Sequence, residues 1–217
     1  MLSKTQLGTM LALQNNMNVK VNPEWLTAGY GYLRAAMVES VEAIEHHGWK
    51  WWKAQEKDLP QLQMEMIDIW HFALSDYLIK HQGDADKASE TILNEISLSQ
   101  AGVRFDDSIY TPESLGLLEN LQLMTGLSAA NRFSAFLFMH ICQQCDLSGD
   151  ELYRQYVGKN VLNFFRQDHG YKTGEYVKIW HGEEDNEHLM KVLNALDINA
   201  SNYAEQVYDG LKVRYPG

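Results

Sequence analysis

Proline and cysteine are scarce in this chain, with four prolines and two cysteines among 217 residues. Few prolines leave long stretches open to helix, because proline inside a helix removes a hydrogen bond and clashes with the preceding turn. The two cysteines stand as Cys142-Gln-Gln-Cys145 behind His140, a spacing shared by redox pairs and half-sites for zinc. No strand precedes them, no second pair completes four zinc ligands, and they continue an apolar run from Phe133 to Ile141, so they read as core thiols. No run of eighteen apolar residues is present, which argues against a membrane-spanning helix. The first residues, Met1-Leu2-Ser3-Lys4-Thr5-Gln6, lack the basic-then-apolar form of a signal peptide, and a cytoplasmic location is expected. Positive charge is also in deficit. A net charge of −11 argues against a general nucleic-acid surface but leaves room for a small anionic substrate held through a metal ion.

What remains is 45% hydrophobic and patterned for helices, with length enough for one domain spanning 1–217. A first helix is expected over Lys4 to Asn16. A second is expected from Glu24 to His47, with Asn22 as its cap, Pro23 near its start, and Leu26, Tyr30, Leu33, Met37, Val41 and Ile44 at close to a 3.6-residue period. Gly48 stops it, and Trp49-Lys50-Trp51-Trp52-Lys53 forms an aromatic connector. Further helices are expected over 62–81, 84–99, 113–124, 129–145, 149–166 and, singly or as a pair, 186–213. The 100–112 stretch reads as a turn-rich connection, and the glycines between Asp168 and Asp185 read as an ordered functional loop. No strand pair is expected.

Two short phrases carry the chemistry, Glu39-Ser-Val-Glu42 and Glu65-Met-Ile-Asp68. Residues three apart share a helix face, so two antiparallel helices can aim all four acids at one place. Clustered carboxylates repel unless a cation lies between them, and oxygen-only ligands favour a hard ion such as Mg²⁺. One such pair on a surface helix is commonplace and solvated; here both pairs are interleaved with apolar residues. Later in the chain, Lys159, Asn163 and Arg166 fall on one helix face, followed by Tyr171 and Lys172, a set suited to phosphate oxygens. Trp49, Trp51, Trp52, His71 and Phe72 adjoin the acid phrases, and Gln14 and Asn18 lie four apart on the first helix. Flat rings and amides of this kind can read a nucleobase.

In their order along the chain, these pieces resemble the all-α dimeric dUTPases, within the MazG-like all-α nucleoside triphosphate pyrophosphatases. The resemblance rests on Leu13-Gln14 with Asn18; Glu39-Ser-Val-Glu42 leading to Trp49-Lys-Trp-Trp52; Glu65-Met-Ile-Asp68 with His71-Phe72; Lys159-Asn-Val-Leu-Asn163 with Phe165-Arg-Gln167; and Gly170-Tyr-Lys172, Gly174, Tyr176 and Trp180. It spans about residues 10–186 and finds no match over 97–130. It implies an all-α bundle with the metal site between two long antiparallel helices. It also implies a homodimer that cleaves dUTP, and also dUDP, to dUMP with two or more Mg²⁺ ions. By the same likeness Glu39, Glu42, Glu65 and Asp68 hold the ions. Lys159, Asn163, Arg166, Tyr171 and Lys172 grip the phosphates, while Gln14, Asn18, Trp51, His71 and Phe72 border uracil and sugar.

In-line attack at phosphorus requires neutralisation of developing oxygen charge and a proton acceptor for the attacking water. Glu39 is the expected acceptor, with Glu42 the alternative. Three rival readings compete. A related enzyme would prefer dCTP or several dNTPs. A ferritin-like di-iron protein would use Asp68-Ile-Trp-His71, which mimics the acid-x-x-His spacing of those bundles, although a second such motif is missing. The third is a non-catalytic helical binding protein.

Overall fold

The computed structural model describes residues 2–97 and 102–217. The expected end of the fourth helix at Ser99 and the first residues of the 100–112 connection lie outside them. The described residues form nine α-helices and two short β-hairpins, an all-α fold in substance. They gather into two compact units, residues 3–149 and 150–217.

The first unit holds α1 (Lys4–Val21), α2 (Tyr32–His47), α3 (Leu59–Lys80), α4 (Ala85–Ser97), β1 (Val103–Phe105), β2 (Ser108–Tyr110), α5 (Leu117–Ala129) and α6 (Ala135–Gln144). A reciprocal cap starts α1: Gln6 N donates to Ser3 Oγ at 3.2 Å, and Ser3 N donates to the Gln6 side chain at 2.9 Å. The helix passes the expected Asn16 and runs to Val21, where Pro23 ahead disfavours further helix.

The expected start of the second helix at Glu24 is overturned. Asn22 caps the end of α1 instead, and its side-chain oxygen accepts from Glu24 N at 3.0 Å, forming a local turn that competes with helix. Gly29, at φ +71°, keeps the chain irregular until α2 begins after Gly31. The buried face of α2 is Leu33, Ala36, Ser40 and Ala43, while Val41, expected on the apolar stripe, is exposed.

Gly48 ends α2 at φ +82°, as its sequence position suggested. Asp58 caps α3 by accepting from Gln61 N at 3.2 Å, with Pro60 in the first turn where its missing N–H costs nothing. α3 packs chiefly on α2 and also on α1. Its core anchor is Trp70, fully buried and stacked on Phe138 of α6 at 4.5 Å between ring centres.

Two further boundaries move. Residues 112–114 form a 3-10 turn, and α5 begins only after Gly116. The expected helix over 129–145 is broken at Asn131, whose φ of +55° closes α5 while Arg132 N donates back to Leu127 O at 2.8 Å. Ser134 then caps α6.

The expectation of no strands is corrected by two hairpins. In the first, β1 pairs antiparallel with β2 around a tight turn at Asp106 and Asp107, Asp106 having φ +50°. The second lies in the other unit, where β3 (Ile179–Trp180) pairs with β4 (Glu183–Glu184) through His181 and Gly182, both at positive φ.

That second unit also contains α7 (Gly149–Asp168), a 3-10 turn over Tyr171–Thr173, α8 (Asp185–Leu193) and α9 (Tyr203–Arg214). Buried Phe165 and Trp180 anchor an aromatic cluster in which Tyr176, Tyr208 and Tyr215, all half-buried, meet them or one another edge-on, tilted or stacked. Glycines at 170, 174 and 182, all at positive φ, fold the 168–185 loop.

Candidate metal and nucleotide site

α2 and α3 run in opposite directions. Asp58 N, at the start of α3, donates to His46 O, at the end of α2, across 2.8 Å. Further along, His46 Nε2 lies 3.4 Å from Glu65, and Glu39 feels the charge of Asp68. The i,i+3 spacing within each acid phrase therefore projects both pairs into one seam. Glu39, Glu42 and Glu65 each offer a carboxylate oxygen within 4.8 Å of the other two. Glu65 is buried, Glu39 and Asp68 are half-buried, and Glu42 is exposed.

The electrostatic consequence falls on Glu39. Burial, then repulsion from Asp68, Glu42 and Glu65, and then a hydrogen bond with Glu65 push its carboxyl from 4.5 up to about 7. At neutral pH Glu39 is therefore only partly ionised, and a cation between the acids would displace its proton. The three clustered donors are all hard oxygens, two from α2 and one from α3, and this chemistry fits Mg²⁺; Asp68, whose charge Glu39 feels, is not one of the three.

Beside this seam, α1 and α3 build a chain of buried hydrogen bonds. Gln14, Asn18, His71 and Ser75 are all buried. Ser75 Oγ donates to His71 O at 3.1 Å, and Asn18 Nδ2 donates to Ser75 Oγ at 2.9 Å. Gln14 Nε2 donates to Asn18 Oδ1 at 3.0 Å, and Gln14 Oε1 lies 2.8 Å from His71 Nδ1. Three residues expected to border a base are thus joined through Gln14, and Ser75, which the sequence reading missed, closes the ring from Asn18 to the His71 carbonyl. A serine on the buried stripe of α3, one turn after His71, was the available signal.

The aromatic members are less gathered. Phe72 is half-buried on α3. Trp51 is 87% exposed and meets Trp52 edge-on at 4.6 Å on the α2–α3 connector. The connector is held at its start, where Glu45 accepts from Trp49 Nε1 at 2.7 Å and Gln55 Oε1 accepts from Trp49 N and Lys50 N.

The expected phosphate group lies in the second unit. Asn163 and Arg166 meet on α7, where Arg166 Nη1 donates to Asn163 Oδ1 at 3.2 Å. Arg166 is chiefly committed elsewhere, donating through Nε and Nη2 to both oxygens of Asp185 at 2.8 and 2.9 Å. Asp185 is fully buried and also accepts from Tyr176 Oη at 2.9 Å. Burial alone would lower the guanidinium pKa, but these bonds outweigh it and raise it. Tyr171, whose ring lies 5.9 Å from the guanidinium, is exposed, as is Lys172, and Lys159 is half-buried. Asp185 went unread in the sequence because it merely continues the acidic run Glu183-Glu184.

Cys142 and Cys145 are free buried thiols. Burial and mutual repulsion hold Cys142 well above the usual thiol range, and burial pushes Cys145 to about 12, so both are inert core groups.

An all-α scaffold with an acid-lined helix seam and a buried amide–imidazole chain is consistent with a nucleotide hydrolase. A family model described as dUTPase matches residues 6–171, and the chain belongs to that helical dUTPase family. Its enzymatic class is dUTP diphosphatase. The matched span takes in both acid phrases and stops at Tyr171, one residue short of Lys172. No curated protein matches the chain.

Proposed function

We propose that the chain hydrolyses dUTP to dUMP and pyrophosphate, and dUDP to dUMP and phosphate, with two or more Mg²⁺ ions held by Glu39, Glu42, Glu65 and Asp68. The observation that supports this most is the crowding of three carboxylates within 4.8 Å, where burial and then mutual repulsion raise Glu39 to about 7. Bound divalent cations would screen the phosphate chain and make a water more acidic.

The protein's own groups account for the rest. Glu39 accepts the proton of the attacking water, with Glu42 as the alternative acceptor. Lys159, Lys172 and Arg166 oppose the charge that develops on the departing phosphate oxygens. Asn163 and Tyr171 flank the Arg166 guanidinium and orient it, since a guanidinium has five N–H donors and only two of Arg166's go to Asp185. Gln14, Asn18 and His71 read the base edge, and Phe72 and Trp51 close over ring and sugar. The likeness to dimeric enzymes supports a homodimer.

The test is phosphate and pyrophosphate release from dUTP, dUDP, dCTP and the other dNTPs, with Mg²⁺ and with a chelator. dUTP turnover that chelation abolishes is expected. Preference for dCTP would overturn the base assignment, and turnover that survives chelation would overturn the metal assignment.

A further inference from the structure

We infer that Ser75 is a positioning residue that fixes the tautomer of His71 and the direction of both amides, and thereby the polarity of the base-reading edge. The inference rests on the reading that Gln14, Asn18 and His71 border the base.

The His71 carbonyl can only accept, so Ser75 Oγ, 3.1 Å away, must be the donor. With its one proton spent, the Ser75 oxygen can only accept from Asn18, 2.9 Å away, so the nitrogen of that amide faces it. Asn18 Oδ1 is then turned to Gln14, which must present its own nitrogen across 3.0 Å. That leaves Gln14 Oε1 facing His71 Nδ1 at 2.8 Å, so Nδ1 carries the proton. In the neutral ring Nε2 is then the acceptor. A backbone carbonyl of α3 thus sets, through three side chains, the hydrogen-bonding character of the ring on its own residue. Ser75 is fully buried, so water cannot readily replace its hydroxyl.

A locked pattern discriminates, because the wrong base edge leaves buried groups mismatched. Uracil carries a proton on N3, where cytosine carries a lone pair. An imidazole held as an acceptor suits the former. Without the Ser75 hydroxyl, the Asn18 and Gln14 amides can turn over together and the ring can take the opposite tautomer.

The experiment is ¹⁵N NMR of the His71 ring nitrogens at a pH where the ring is neutral, in the unsubstituted protein and in Ser75→Ala and Ser75→Thr. It is paired with kcat/KM for dUTP and dCTP. The Nδ1–H tautomer is expected in the unsubstituted chain and in Ser75→Thr. In Ser75→Ala a mixed population is expected, and the dUTP-over-dCTP ratio should fall roughly tenfold. An Nε2–H ring in the unsubstituted protein would overturn the inference without any variant, as would an unchanged tautomer and ratio in Ser75→Ala. Failure of the unsubstituted enzyme to hydrolyse dUTP would instead sink the proposed function, leaving the tautomer measurement intact.

Discussion

The guanidinium of Arg166 and the carboxylate of Asp185 meet as two parallel hydrogen bonds, 2.8 and 2.9 Å long, with the acid wholly removed from solvent. Asp185 alone would be a buried, uncompensated charge, and Arg166 alone a half-buried one. Removing one side of such a pair typically costs about 3–5 kcal/mol.

Asp185→Ala is therefore expected to destabilise the protein by about 3 kcal/mol, and Tyr176→Phe, which removes only the third bond to the carboxylate, by about 1 kcal/mol. Urea denaturation of the two variants checks the order. It also bears on how Arg166→Ala is interpreted, since lost activity there must be separated from lost folding.

Glu42→Gln and Asp68→Asn each remove a charge from the acid seam while keeping side-chain size. Turnover of dUTP is expected to fall by about two or more orders of magnitude, with the helical circular-dichroism spectrum retained. Near-normal rates at saturating Mg²⁺ would take these acids out of the mechanism.

The Glu39 carboxyl is raised from 4.5 to about 7, so the folded protein binds this proton more tightly than the unfolded chain does. Its favourable contribution is complete below about 4.5 and is lost as pH climbs through about 7. In chelator, thermal stability should therefore decline between pH 5 and 8 by an amount that Glu39→Gln, a permanent mimic of the protonated state, reduces. Adding Mg²⁺ at pH 8 should restore stability to the unsubstituted protein more than to Glu39→Gln. A pH-independent melting temperature in chelator would contradict the crowding.

Both thiols are buried with raised pKa values, so neither supplies thiolate at neutral pH. A chromogenic disulfide reagent is expected to label the native protein slowly, over hours, and to titrate two thiols per chain in denaturant. Fast native labelling would return the Cys142–Cys145 pair to consideration as a reactive site.

The helices were legible where local signals mark their ends. Pro60 marks the entry to α3, although the Asp58 cap starts that helix three residues before the expected Leu62; Gly48 and Gly83 close helices at positive φ, and the acid phrases kept their register because i,i+3 spacing is a property of the helix itself. The start of α2 was misread because Asn22 and Pro23 serve a turn as readily as a cap, and two glycines downstream decided the matter. The hairpins were invisible because strands of two or three residues show no alternation. Ser75 and Asp185 were missed for a common reason: their meaning lies in partners 57 and 19 positions away, Asn18 and Arg166. The exposure of Trp51 was equally unreadable, since an aromatic connector looks the same in sequence whether it lies folded down or stands out.

The single backbone bond from Asp58 to His46 joins the two ends of the tryptophan-bearing connector. It turns that segment into a closed handle hinged on a fixed base. The tryptophan rings ride on that handle while its base keeps the ends of α2 and α3 together, and with them the spacing of the acids that the two helices carry.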